Sequence, residues 1–272
     1  MSIIKKITPM ERSENVPMDK PRLNLIEESR GIDEALVLIK GYLSEKENRP
    51  EDNAYWMRSL REAGWHGSIY HLWWDASSFG AVVRRLLLVV SQVPVPFPHK
   101  LIRIPVRAGI SITTLLLHWR KVKKRAKRVG RDYLPDILNL MPEKYIILMG
   151  VSLGVRVVYH GLINIQRRKS PALKHAILLG GTVARGETRG WERAVEPLEE
   201  RIVNVYNQKD YVLRYLFKIA QIIPKSPCGL KPIKLNHPKI VNIDATDQVG
   251  RSLKNHWEHP DALPSTIGWL FQ

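Results

Sequence analysis

The stretch Lys144-Tyr-Ile-Ile-Leu-Met-Gly-Val-Ser-Leu-Gly154 constrains this chain more than any other. Tyr145 to Met149 form an apolar run that reads as a buried parallel strand, and Gly150-Val151-Ser152-Leu153-Gly154 follows at once. Val155, Val158, Tyr159, Leu162 and Ile163 then recur at helical spacing. A serine between strand and helix, with glycine on both sides, describes a turn too tight for larger flanking side chains. Such a turn lifts the Ser152 hydroxyl above the sheet edge, beside the first N–H groups of the next helix. The spacing therefore predicts a nucleophile elbow with Ser152 as nucleophile.

A chain of 272 residues, 44% hydrophobic, can bury one sizeable core, and a second domain is not required. The single cysteine, Cys228, excludes an internal disulfide and a thiolate metal cluster. Met1 to Lys20 has no apolar core of signal-peptide length, and Arg84, Arg85, Arg103 and Arg107 interrupt the two most hydrophobic regions. The expectation is a cytoplasmic location, with peripheral membrane contact but no clear transmembrane helix.

In chain order, residues 1–32 read as a polar, proline-punctuated arm, and a folded domain spans 33–272. Ala35 to Lys40 and Ser68 to Trp74 read as strands around a helix whose face carries Trp56, Leu60 and Ala63, a strand-helix-strand unit of a parallel sheet. Residues 76–131 contain thirteen lysines and arginines and no acidic residue, which accounts for most of the net charge of +17. This segment reads as two helical pieces about a proline-rich bend, a basic insertion or cap over the active edge. The competing reading is a basic helix that only connects strands. Strands then resume at His175 to Gly180, Arg201 to Tyr206 and Lys239 to Ile243, with Trp191 in a loop and a terminal helix over 260–270. The fold class is α/β, a mostly parallel sheet with helices on both faces.

An activated serine needs a base within hydrogen-bond reach and a carboxylate to orient that base. Asp210 and His256 each follow a predicted strand, in the serine, acid, histidine order of α/β-hydrolases. Asp244, Asp247 and His259 compete for the same roles. The oxyanion donors are expected to be the backbone N–H groups of Leu153 and of Tyr42, which follows Gly41 after the first strand.

Together, Leu38-Ile-Lys-Gly-Tyr-Leu-Ser44, Trp73-Trp74, Gly150-Val-Ser-Leu-Gly-Val-Arg156, Leu178-Leu-Gly-Gly-Thr182, Val203-Asn-Val-Tyr206, Asp210-Tyr-Val-Leu-Arg-Tyr215 and His256-Trp257 resemble one branch of the α/β-hydrolase superfamily. It is the branch that includes the transmembrane-and-coiled-coil-domain proteins, and the similarity covers residues 33–271. The resemblance implies that Ser152, Asp210 and His256 occupy the triad positions. The branch's histidine motif usually has glycine before it and tyrosine three residues after, where this chain has Asn255 and His259. These features predict a serine hydrolase acting on a small-molecule or lipid ester, without a cofactor. A catalytically silent fold that binds membrane surfaces or proteins is the alternative. An anionic membrane surface is a candidate partner of the basic segment. Nucleic acid is disfavoured because 76–131 lacks the interleaved aromatics of a base-stacking surface.

Overall fold

A computed structural model of the chain describes residues 20–41, 50–76, 112–166, 171–214, 226–249, 256 and 258–272. The expectations for Tyr42 and for 77–111 of the basic segment lie outside the described residues.

The strands are β1 (Arg22–Glu27), β2 (Glu34–Ile39), β3 (Ser68–Trp73), β4 (Tyr145–Val151), β5 (Ala172–Leu179), β6 (Leu198–Tyr206) and β7 (Ile240–Asp244). They form one seven-stranded sheet in the order β1-β3-β2-β4-β5-β6-β7. Only the β1–β3 pair is antiparallel. The central strands read as continuous apolar runs because helices cover both their faces. Residues of opposite parity fall into two separate buried clusters, one with Val37, Ile146 and Leu148 and the other with Leu36, Ile147 and Met149. This strand order, in which the chain steps from β2 out to β3 and then back past β2 to β4, is that of the α/β-hydrolase fold.

The sheet starts earlier than the sequence suggests. Residues 1–32 are not all arm, because Arg22–Glu27 pairs along β3 from Arg22–Trp73 to Glu27–Ile69, with a bulge between Leu25 and Glu27. Only Leu23 and Asn24 of it are buried and its other residues are half-buried, so it lacks the long apolar run that marks the central strands.

Helix α1 (Pro50–Glu62) buries Trp56 and Leu60 as its spacing predicts, and Ala63 just beyond it is buried too. Helix α2 (Ile112–Arg128) is the described part of the basic segment. It is a crossover helix: Trp119, Val122 and Ala126 are buried in the core shared with the helix that follows β4. A single π turn, Val129–Tyr133, carries it into α3 (Leu134–Asn139). Gly130 sits in that turn because a Cβ there would come within 2.3 Å of Val157 O, so the two helices can touch only through glycine. Arg125 does not face solvent with the other basic residues. It is buried and paired with Asp75 at 2.8 Å.

Helix α4 (Gly154–Leu162) follows β4, and α5 (Thr188–Val195) precedes β6. Trp191 lies on α5 rather than in a loop. Its ring is fully buried against Tyr159, with centroids 4.8 Å apart, and its indole N–H reaches Ala184 O at 3.1 Å. The chain ends in a 3-10 turn, His259–Ala262, and helix α6 (Leu263–Ile267), which pack on α1.

Candidate active site

The elbow has the strained geometry its sequence requires. Ser152 has φ of 56°, the one positive value outside glycine among the described residues, and holding it there costs about 1–3 kcal/mol. The surrounding packing offsets this. Ser152 N–H donates to Leu179 O at 2.9 Å, which ties the turn to β5. A Cβ on Gly154 would lie 1.8 Å from Ile39 O, and one on Gly150 would lie 2.8 Å from Val155 Cα, so both glycines are dictated by backbone contact.

His256 is hydrogen-bonded to both of its expected partners. Ser152 Oγ donates to His256 Nε2 at 2.9 Å, and His256 Nδ1 donates to Asp210 Oδ2 at 2.6 Å. Asp210 has no exposed surface. An ionised carboxylate only accepts, so it holds the imidazole proton on Nδ1 and leaves the Nε2 lone pair facing the serine. The other carboxylate oxygen accepts the Leu213 N–H at 2.9 Å, at the head of the helical turn 211–214. Asn207 shapes the approach to Asp210: its side-chain oxygen accepts the Lys209 N–H at 2.8 Å and its backbone oxygen the Asp210 N–H at 3.1 Å.

The competing residues have other tasks. Asp244 caps its own turn, with Oδ1 accepting the Thr246 N–H at 3.0 Å and Oδ2 accepting Gln208 Nε2 at 2.6 Å. Asp247 lies on the surface, 3.6 Å from Lys209 Nζ. His259 is buried behind His256, and neither ring nitrogen has a hydrogen-bond partner. Burial, then His256, push its pKa down to about 4, so it is a neutral wall of the site. Gly180 leaves room for it: φ there is +55°, and a Cβ would lie 2.8 Å from His259 Nε2. Cys228 is no rival nucleophile, since full burial pushes its thiol pKa up to about 12. Among the described residues no cluster of three or more histidine, cysteine or acidic side chains is placed to hold a metal.

Leu153 N–H lies at the N-terminal end of α4, and Gly41 passes directly over it. A Cβ at 41 would be 2.6 Å from Leu153 N and 2.7 Å from Val151 O. Gly41 is thus more than a turn glycine. Trp74 holds this crossing, with its indole N–H donating to Lys40 O at 2.8 Å, while Lys40 Nζ reaches Asn53 Oδ1 at 3.1 Å and pairs with Asp52. The sequence marks Trp73-Trp74 as a strand end but carries no signal of this role for Trp74, because the contact is made with a segment more than thirty residues away.

Over 212 residues the chain is 25% identical to "Uncharacterized membrane protein C6F6.13c" of Schizosaccharomyces pombe, covering 73% of this chain and 26% of that protein. It is 30% identical over 165 residues to "Uncharacterized membrane protein F35D11.3" of Caenorhabditis elegans, covering 59% and 26%. It is 26% identical over 216 residues to "Probable lipase MIL1" of Saccharomyces cerevisiae, covering 72% and 20%. The chain thus spans a fifth to a quarter of the length of these relatives. Among solved structures, the poly(3-hydroxybutyrate) depolymerase LpqC of Bordetella parapertussis superposes with a TM-score of 0.44 at 11% identity, over 92% of this chain and 83% of that one. The Pyrococcus furiosus esterase Pf2001 gives 0.41 at 11% identity, over 98% and 91%. The family model described as "Protein of unknown function (DUF726)" matches residues 105–269, more than half of the chain and inclusive of the elbow, Asp210 and His256, and the chain belongs to that family.

Proposed function

We propose that this chain is a serine hydrolase that cleaves an ester-type bond, with lipid acyl esters as the favoured substrate class. One observation carries the reading: an unbroken hydrogen-bonded line from the strained Ser152 through His256 to the buried Asp210. In this reading Ser152 Oγ attacks the ester carbonyl carbon while its proton passes to His256 Nε2. The carbonyl electron pair moves onto oxygen, where the Leu153 N–H meets it, with Tyr42 N–H as the second donor. Collapse expels the alcohol oxygen, which leaves with the proton from Nε2, and the acyl group stays on Ser152. A water then gives a proton to Nε2 and attacks the acyl carbon. The second collapse releases the acid and returns the proton to Ser152. Asp210 stays ionised and stabilises the imidazolium in both halves.

The lipid part of the reading rests on α2. Arg120, Lys121, Lys124 and Lys127 are exposed at spacings that share one helix face, and Leu117 beside them is 59% exposed. That row suits reversible docking on an anionic lipid surface. Two of the relatives are named membrane proteins and a third a probable lipase. Among the described residues no helix is long and apolar enough to cross a membrane.

The test is labelling of the purified protein with a fluorophosphonate probe. The wild type is labelled at Ser152, and Ser152→Ala is not. Labelling that persists in the variant overturns the assignment. A folded wild type that is never labelled leaves the silent, surface-binding reading in its place.

A further inference from the structure

One helical turn beyond the nucleophile, α4 carries a guanidinium with no ion pair among the described residues. Arg156 donates through one terminal nitrogen to Thr182 O at 3.4 Å, and its other terminal nitrogen lies 3.4 Å from His160 Nε2. Its Nε is enclosed and has no hydrogen-bond partner. Thr182 links this group to the elbow, because its hydroxyl donates to Ser152 O at 3.4 Å. The neighbours add positive charge. Lys123 of α2 is half-buried and makes no ion pair among the described residues; burial, then Arg156, then Arg120 push its pKa down. His160 is pushed down to about 3 by burial, then Arg156, Lys127 and Arg131, so the partner it offers Arg156 is a neutral ring. Glu187 acts on Arg156 only through space.

Each terminal nitrogen of Arg156 carries two N–H groups and has one contact, so donors are left over at the guanidinium's tip. A cation held this way, with a second cation on the helix packed against its own, is stabilised by an anion arriving from outside. We propose that Arg156 and Lys123 form a subsite for a phosphate group carried by the substrate, next to the acyl ester that Ser152 attacks. The planar fork of arginine matches phosphate oxygens in pairs, and the lysine supplies a point charge. The substrate class is then an acyl ester whose alcohol portion bears a phosphate. The proposal rests on the serine hydrolase reading and narrows it.

The experiment has two arms so that the two readings fail separately. In the first, Ser152→Ala, which does not turn over, is melted in inorganic phosphate and in chloride of equal ionic strength. Phosphate at about ten times its dissociation constant raises Tm by about 3 °C relative to chloride. Adding Arg156→Met or Lys123→Gln removes that rise. Two Ser152→Ala results overturn the subsite: no rise, or a rise that survives both additions and so marks an adventitious ion only. In the second arm, the wild type is given a short-chain diacylglycerol phosphate and the uncharged diacylglycerol with the same acyl chains. The wild type favours the phosphate-bearing ester, and the ratio of the two kcat/KM values falls at least about tenfold in Arg156→Met and in Lys123→Gln. Arg156→Lys retains part of the preference. A ratio unchanged in both variants overturns the role in substrate selection and leaves free phosphate as the ligand. A wild type that hydrolyses neither lipid, yet keeps an Arg156-dependent phosphate stabilisation, overturns the hydrolase reading while upholding the anion site.

Discussion

Gly41→Ala tests whether the loop after β2 builds the oxyanion site. The new Cβ would lie 2.6 Å from Leu153 N, 2.7 Å from Val151 O and 3.0 Å from Ser152 Cβ. Ordinary contact between such atoms is about 3.5–4.0 Å, so loop and elbow must part by about 1 Å. Neither side yields easily. Val151 is paired with Leu179, and Ser152 N–H is bonded to Leu179 O. The loop is tied through Lys40 to Trp74 and Asn53. The separation therefore falls on Leu153 N–H and on the backbone at Gly41. An oxyanion donor acts only within about 2.7–3.1 Å of the developing charge, and losing one costs about 100- to 1,000-fold in kcat. Overpacking adds about 1–3 kcal/mol of lost stability. Hydrolysis of a soluble p-nitrophenyl ester, the rate of fluorophosphonate labelling and a thermal melt measure the two effects separately. Gly186→Ala is the control, because its Cβ would meet nothing closer than Lys234 Cδ at 3.9 Å. If folded Gly41→Ala keeps activity within about threefold of wild type, the Leu153 N–H is not the oxyanion donor.

Four further outcomes are expected. Asp210→Asn and His256→Ala each lower kcat by about 1,000-fold or more, whereas His259→Ala lowers it less than about tenfold and shows its cost in Tm; a reversed ranking of the histidines moves the base to His259. Arg125→Met removes the buried pair with Asp75 and destabilises by about 3 kcal/mol, while the exposed Lys124→Met stays within about 0.5 kcal/mol in the same urea melts; equal losses refute the buried pair. The buried histidines set an acid limit: His71, held down to about 3, and His259, held down to about 4, stay neutral when folded but take up protons when unfolded below the usual histidine value. Folding stability therefore rises with pH through this window and falls by up to about 1.4 kcal/mol per pH unit per histidine between pH 6.5 and 4, and urea melts that superimpose at pH 7 and 5 refute it. Replacing Lys121, Lys124 and Lys127 with glutamine, and leaving Arg125 in place, removes about 3 kcal/mol of attraction to anionic vesicles; co-sedimentation unchanged by these substitutions refutes the docking face.

Local shape makes the elbow legible in the sequence alone. Strand, turn and helix in residues 145–163 are set by neighbouring side chains, and Gly150-x-Ser152-x-Gly154 is the pattern that such a tight turn imposes. Asp210 and His256 are legible for a different reason: a parallel sheet carries the ends of successive strands to one edge, so chain order predicts proximity. Packing between distant segments sets what lies beyond the sequence. The half-buried β1 has no apolar run to announce it, and only its pairing with β3 makes it a strand. Which of His256 and His259, three residues apart, lies against Ser152 follows from the packing of the two rings and from the room that Gly180 leaves for His259. In the basic segment, charge spacing cannot separate Arg125 from its neighbours. Its pairing with Asp75, fifty residues earlier, exists because α2 turns that side chain inward against the end of β3. The same packing of α2 on α4 sets Lys123 and Arg156 on adjoining helices, although thirty-three residues separate them. Sequence thus determined the elements whose shape is local or imposed by chain order, and tertiary structure decided which polar side chains meet, because those meetings depend on how helices rotate and pack.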